Sequence, residues 1–136
     1  MTMQLYAYLN FDGHCREAMS WYQSVLGGEL KMQSFAEAGM GQNPQTANQI
    51  IHAYLDNGAV ALFGSDVADH GPVQLGNSVN LCLFGSDQAR LTDIFNKLAV
   101  GGQVEMPLAK QFWGDVFGSL TDRYGMHWMI NLGEAK

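Results

Sequence analysis

From Leu5 to Phe11 the chain alternates, with Leu5, Ala7, Leu9 and Phe11 on one face and Tyr6, Tyr8 and Asn10 on the other. This is the period of a strand buried on one side. The period then lengthens. Cys15, Ala18, Met19, Tyr22, Val25 and Leu26 recur at three- and four-residue spacing and are followed by Gly27-Gly28, which predicts an amphipathic helix of about four turns with a glycine stop. Glu29 to Ala36 reads as a second strand and the polar stretch Gly39 to Asn48 as a loop. Gln49 to Leu55 alternates again, with Ile51, Ala53 and Leu55 opposite Ile50, His52 and Tyr54. Asp56-Asn57-Gly58 then turns the chain into a strand over Ala59 to Phe63.

Gly64 to Gly76 has the composition of a connection, and after it the order repeats. Ser78 to Phe84 alternates, Gly85-Ser86-Asp87 offers an N-cap, and Ala89, Leu91, Ile94, Phe95, Leu98 and Val100 form a helical stripe ending at Gly101-Gly102. Short strands are predicted over Gln103 to Met106, Val116 to Asp122 and His127 to Leu132, with a turn at 122–125. The expected fold is α+β: two βαβββ modules in a single domain spanning 1–136, the first about 1–66, a connection about 65–76, and the second about 77–136. A four-stranded sheet with one helix leaves one face bare. Two such sheets paired within a chain or across a dimer would curl around a concave surface suited to a ligand.

Charge narrows the classes of partner. Seven Lys and Arg stand against thirteen Asp and Glu, a net of −6, and such a field repels phosphate backbones; no nucleic-acid partner is expected. Only 15% of the residues are charged, below the usual share, which favours a buried subunit interface. No apolar run approaches a membrane span, and the N-terminus shows neither a cationic region nor a small-residue cleavage site. A cytoplasmic protein with Cys15 and Cys82 reduced is therefore expected.

The polar members of the alternating strands fall opposite the helix-facing stripes. Tyr6, Tyr8, His52, Tyr54, Asn80, Cys82, His127 and Met129 are thus the candidates to line the concavity, unless side chains or a neighbouring subunit fill it. His52 is the candidate acid, base or donor. Phe112 and Trp113, ahead of Gly114-Asp115, are expected at the rim, where their rings could stack on a ligand, with a core or dimer-interface role as the alternative. Trp128 and Cys15 read as core, Cys82 as pocket-facing, and His14 and His70 as solvated.

The segments FDGHCREAMSWYQSVLGGEL, IIHAYLDNGAVALFGSD and QFWGDVFGSLTDRYGMHWMINL together resemble the glyoxalase and bleomycin-resistance (vicinal oxygen chelate) superfamily, in its PhnB-like branch, also labelled 3-demethylubiquinone methyltransferase-like. The resemblance implies paired βαβββ modules forming curved mixed sheets around a pocket, usually as homodimers. In the superfamily's enzymes it implies a divalent metal held by His and Glu from four strands. The matching positions here are Tyr6 (or Ala7), His52, Asn80 and Met129. Only His52 is an ordinary metal ligand, so no metal site and no cofactor are expected. No Gly-rich nucleotide loop supports methyl transfer either. The expectation is a small-molecule-binding protein for an organic ligand. The alternative is a metal-dependent lyase, isomerase or dioxygenase using His52.

Overall fold

In a computed structural model that describes residues 2–134, the elements follow the order β1 (Ala7–Phe11), α1 (Cys15–Leu26), β2 (Glu29–Ser34), β3 (Ile50–Asp56), β4 (Ala61–Asp66), β5 (Leu81–Gly85), α2 (Gln88–Ala99), β6 (Gln103–Lys110), β7 (Val116–Thr121) and β8 (His127–Leu132). The chain divides into two compact units, the first ending at Gln74 and the second beginning at Leu75. Each is a βαβββ module, as the pattern predicts. The sheets have orders β1-β4-β3-β2 and β5-β8-β7-β6. In each, the first strand pairs parallel with the last and the remaining pairs are antiparallel. The class is α+β.

The two helices bury the stripes read from their spacing: Cys15, Ala18, Met19, Tyr22, Val25 and Leu26 on α1, and Leu91, Ile94, Phe95 and Leu98 on α2. Phe11, Ile50 and Leu55 meet the first stripe from the sheet, while Leu120, Trp128 and Ile130 do so in the second unit. Each Leu, Ile, Val, Phe or Met among them contributes about 1.5–3 kcal/mol relative to exposure. Gly27 caps α1, and Gly28 follows at φ +105°, where a Cβ would lie 2.4 Å from the Asp56 carbonyl oxygen. Only glycine allows that approach.

The caps of the two helices differ. Asp87 caps α2 locally, its side chain accepting from the Arg90 N–H at 3.1 Å. His14 makes no side-chain cap on α1. Instead Asp66, at the end of β4 and 4% exposed, accepts the N–H groups of Gly13 and Cys15 at Oδ1 (2.9 and 3.0 Å) and of Ile50 at Oδ2 (2.9 Å). A carboxylate at a helix N-terminus also complements the helix dipole.

Several boundaries depart from the pattern, each with a cause. β1 begins at Ala7, where pairing with Leu62 of β4 starts, so Leu5 is 98% exposed and does not face the helix. β4 runs over Ala61–Asp66, because Asn57 Oδ1 takes the N–H groups of Ala59 and Val60 into the turn. A bulge opposite Gln33/Ser34 shifts β3, leaving Ile51 unpaired in the register, and Ile50 is buried in its place. β6 extends to Lys110 through two register shifts, the second of which, between Met106 and Ala109, spans Pro107, a residue with no N–H to give the ladder. No helix among the described residues is long and apolar enough to cross a membrane.

Candidate functional site

On the face of the first sheet that turns away from α1, cross-strand register builds an aromatic ladder. Tyr8 of β1 lies opposite Phe63 of β4, and Phe63 opposite Tyr54 of β3. Their rings run nearly parallel: Tyr8 and Phe63 have centroids 5.9 Å apart at 8°, Phe63 and Tyr54 4.6 Å apart at 27°. Tyr6 meets Phe63 edge-on at 4.8 Å. His52 lies 5.4 Å from Phe63 and 6.4 Å from Tyr8. Tyr6 and Tyr8 are 40% and 49% exposed. Four expected residues, Tyr6, Tyr8, His52 and Tyr54, are thus brought together around Phe63.

Phe63 is the residue the sequence reading missed. It sits in the unbroken apolar run Ala59 to Phe63, where alternation gives no face. Counting back through the hairpin, in which Asp56 pairs with Ala61, would have placed it beside Tyr54.

The ladder's polar end lies at Tyr54, whose hydroxyl donates to Asp56 Oδ2 at 3.0 Å. Asp56 also accepts the Gly58 N–H at 2.8 Å. The Gly58 bond first, and then the Tyr54 bond, hold the Asp56 carboxyl below its usual range. The same hydroxyl–carboxylate bond pushes the Tyr54 phenol up. Beside this pair opens a cleft of about 500 Å³ lined by Gly28, Glu29, Lys31, Tyr54, Asp56, Asn57 and Gly58. At the other end the Tyr6 hydroxyl donates to Gln4. The His52 ring makes no hydrogen bond to any described residue, and its contacts are the rings of Phe63 and Tyr8.

The second unit furnishes its open face differently. Cys82 of β5 and Met129 of β8 are register partners, with Ser119 opposite Met129. Burial raises the Cys82 thiol. Asn80 precedes β5 and is exposed, because the parallel pairing of β5 with β8 begins at Leu81 and Trp128; the expected strand position is corrected accordingly. His127 is bonded through both ring nitrogens: Nε2 donates to the Gly76 carbonyl at 2.7 Å, and Nδ1 lies 2.9 Å from Thr121 Oγ1. Thr121 Oγ1 in turn donates to Glu105 Oε2 at 2.9 Å. Asp115 binds Asn131 Nδ2 at 2.9 Å, so Glu105 and Asp115 are engaged with separate partners. Phe112 and Trp113 occupy the β6–β7 turn, 96% and 48% exposed, packed edge-on to each other at 5.0 Å. Trp113 also meets Phe117 at 6.1 Å. Trp128 is core, its indole N–H donating to Asp122 Oδ2 at 2.8 Å.

The divalent ion that the resemblance implies does not fit the residues at the positions it would take. A phenol, an imidazole, an amide and a thioether at Tyr6, His52, Asn80 and Met129 are not the hard or imidazole donor set such ions take. Among the described residues, no three His, Cys, Asp or Glu side chains are grouped to hold a metal.

Comparison with known proteins places this geometry. A family model described as 3-demethylubiquinone-9 3-methyltransferase matches residues 3–131. The chain is 31% identical to Protein YjdN of Escherichia coli (strain K12), over 96% of this chain and 95% of that one. Its fold superposes on protein PA1353 from Pseudomonas aeruginosa with a TM-score of 0.83 and 37% identity, covering 98% of this chain and 100% of that one. A PhnB protein from Bacillus cereus shares the fold at TM-score 0.81 with 24% identity, covering 96% of this chain and 100% of that one.

Proposed function

The chain belongs to the 3-demethylubiquinone-9 3-methyltransferase family, and on that footing we propose that, like the PhnB-like branch of the glyoxalase/bleomycin-resistance superfamily it resembles, it has a ligand-binding sheet face and binds a small organic molecule on the ring platform of its first sheet. The observation that carries this is the gathering of Tyr6, Tyr8, His52 and Tyr54 around Phe63 on a face that α1 leaves uncovered. Rings left half-exposed in a cluster offer apolar area and stacking geometry that a planar or apolar ligand would cover. Cys82 and Met129 offer a softer lining on the second sheet. Phe112 and Trp113 offer a hairpin tip at which a ligand or a second subunit can stack. The working state in this reading is a cytoplasmic homodimer.

Neither chemistry attached to the relatives is carried over. Methyl transfer would need a place for its nucleotide-bearing donor, and the connection from β1 to α1 holds a single glycine, Gly13. The Gly13 and Cys15 amides at the start of α1 are already bonded to Asp66. Metal-dependent lyase, isomerase or dioxygenase chemistry through His52 lacks a fitting donor set.

The test is thermal unfolding of the full chain against a panel of metabolites and antibiotics. A compound at about 100 times its Kd stabilises the native state by about 2.7 kcal/mol. At least one compound should raise the melting temperature of the native chain and lose most of that shift in Phe63→Ala, itself checked for folding by circular dichroism. A panel without any shift, or a shift that survives Phe63→Ala intact, would overturn the platform.

A further inference from the structure

We propose that the ligand of the platform is a planar aromatic cation that lengthens the Tyr54–Phe63–Tyr8 ring ladder by stacking on the outer face of Tyr8. This inference rests on the platform reading above and adds to it the charge, the shape and the place of the ligand.

The place follows from topology. The ladder crosses three adjacent strands, β3, β4 and β1, one ring per strand. β1 is the edge of its sheet, so no further strand of this sheet supplies a ring beyond Tyr8. At the opposite end the register continues from Tyr54 to Lys31 of β2. The free end of the stack is therefore the Tyr8 side, and Tyr8 is 49% exposed. The shape follows from the 8° between Tyr8 and Phe63: a flat ring laid on Tyr8 continues an existing parallel series, whereas a bulky saturated group would touch one ring only.

The charge follows from what surrounds the rings. The face of an aromatic ring is its negative side and attracts cations within about 6 Å of the centroid, best when no competing cation is near. The first 74 residues hold seven carboxylates against two Lys and Arg side chains, Arg16 and Lys31, a net of −5 of the chain's −6 with the histidines, His52 beside Tyr8 among them, counted neutral. Neither basic side chain serves Tyr8: Arg16 is on α1, bonded to the Asn48 carbonyl, and Lys31 is on β2, the far edge of the sheet. Asp56 stands on the ladder's own face and draws the Tyr54 hydroxyl proton toward it, which makes that end of the series more electron-rich. An anion would meet this field with repulsion, and a neutral ring would gain stacking alone.

Isothermal titration of the full chain near neutral pH compares two probes of one shape, N-methylquinolinium and neutral quinoline, at low and high salt. The cation should bind about 10-fold tighter than quinoline. That preference should shrink as salt rises to about 0.5 M, and Tyr8→Leu, which keeps apolar bulk but removes the ring, should abolish it. Tyr8→Phe should retain it. Equal binding of both probes, with loss in Tyr8→Leu, would overturn the cation and leave the platform standing. Binding of N-methylquinolinium unchanged in Tyr8→Leu would overturn the stacking position. If neither probe binds while a panel compound binds through Phe63, the inference fails alone; if nothing binds at all, it fails together with the platform.

Discussion

The two units share strand order, helix placement and pairing direction, yet they secure and furnish the same frame by different means. In the second unit the helix is capped by the residue next to it, Asp87. In the first, the cap comes from Asp66, 51 residues beyond Cys15 in sequence, and the same carboxylate also holds Ile50 of β3. The open faces differ as well. One carries a ring ladder on a strongly acidic module; the other carries a thiol, a thioether and a chain of hydrogen bonds from Glu105 through Thr121 to His127. The repeat thus preserves the layout of elements, while capping and surface chemistry vary from one copy to the other.

Removing each cap in turn should separate the two units most strongly. Asp66→Ala strands three N–H groups in a closed setting and should cost about 3 kcal/mol, whereas Asp87→Ala should cost about 1 kcal/mol; urea unfolding of the full chain checks both. Equal losses would mean that Asp66 does no more than an ordinary local cap. A second contrast lies in the thiols. Burial first, and then the charge of Asp66, push Cys15 up to about 12, and its side chain is fully enclosed, while Cys82 is exposed and raised by burial alone. Iodoacetamide near neutral pH should label Cys82 faster than Cys15 by on the order of 100-fold, and both rates should rise with pH because the thiolate is the nucleophile. The sign for stability is the same at Cys15. A folded-state thiol held protonated above its ordinary range stabilises the fold below about pH 9, and that contribution is lost as pH climbs toward about 12. Cys15→Ala should flatten this part of the pH profile. The smallest effect is expected on the α2 surface, where the exposed Asp93–Lys97 pair at 3.0 Å should contribute less than about 0.5 kcal/mol. Lys97→Ala followed by urea unfolding measures it.

What the sequence disclosed divides along the same line. Periodicity placed both helices and the strand order because each stripe is a local pattern, and Asp87 was legible because a cap beside its helix is local too. Asp66 was hidden because it serves a helix 51 residues earlier, and its segment reads as a connection. The exchange of Ile51 for Ile50 was hidden because a bulge changes the phase of alternation, and its cause lies on the partner strand at Gln33/Ser34. Tyr6, Tyr8, His52 and Tyr54 were placed on one face by counting twos. Phe63, at their centre, lies in a run with no polar residue to mark the phase. Asn80 was assigned to a strand by its alternating neighbours, but β5 starts only where β8 offers a partner.

The triple hold of Asp66 also orders events in time. A chain growing from its N-terminus has made all of α1 by Leu26, but the carboxylate that binds the first amides of that helix is added only with the last residue of β4. Until then the first amides of the helix lack their carboxylate and Ile50 lacks its anchor, so closure of the first module is expected late. A ribosome-bound chain whose emerged part ends before residue 66 should accordingly be far more open to protease than one in which Asp66 has also left the exit tunnel.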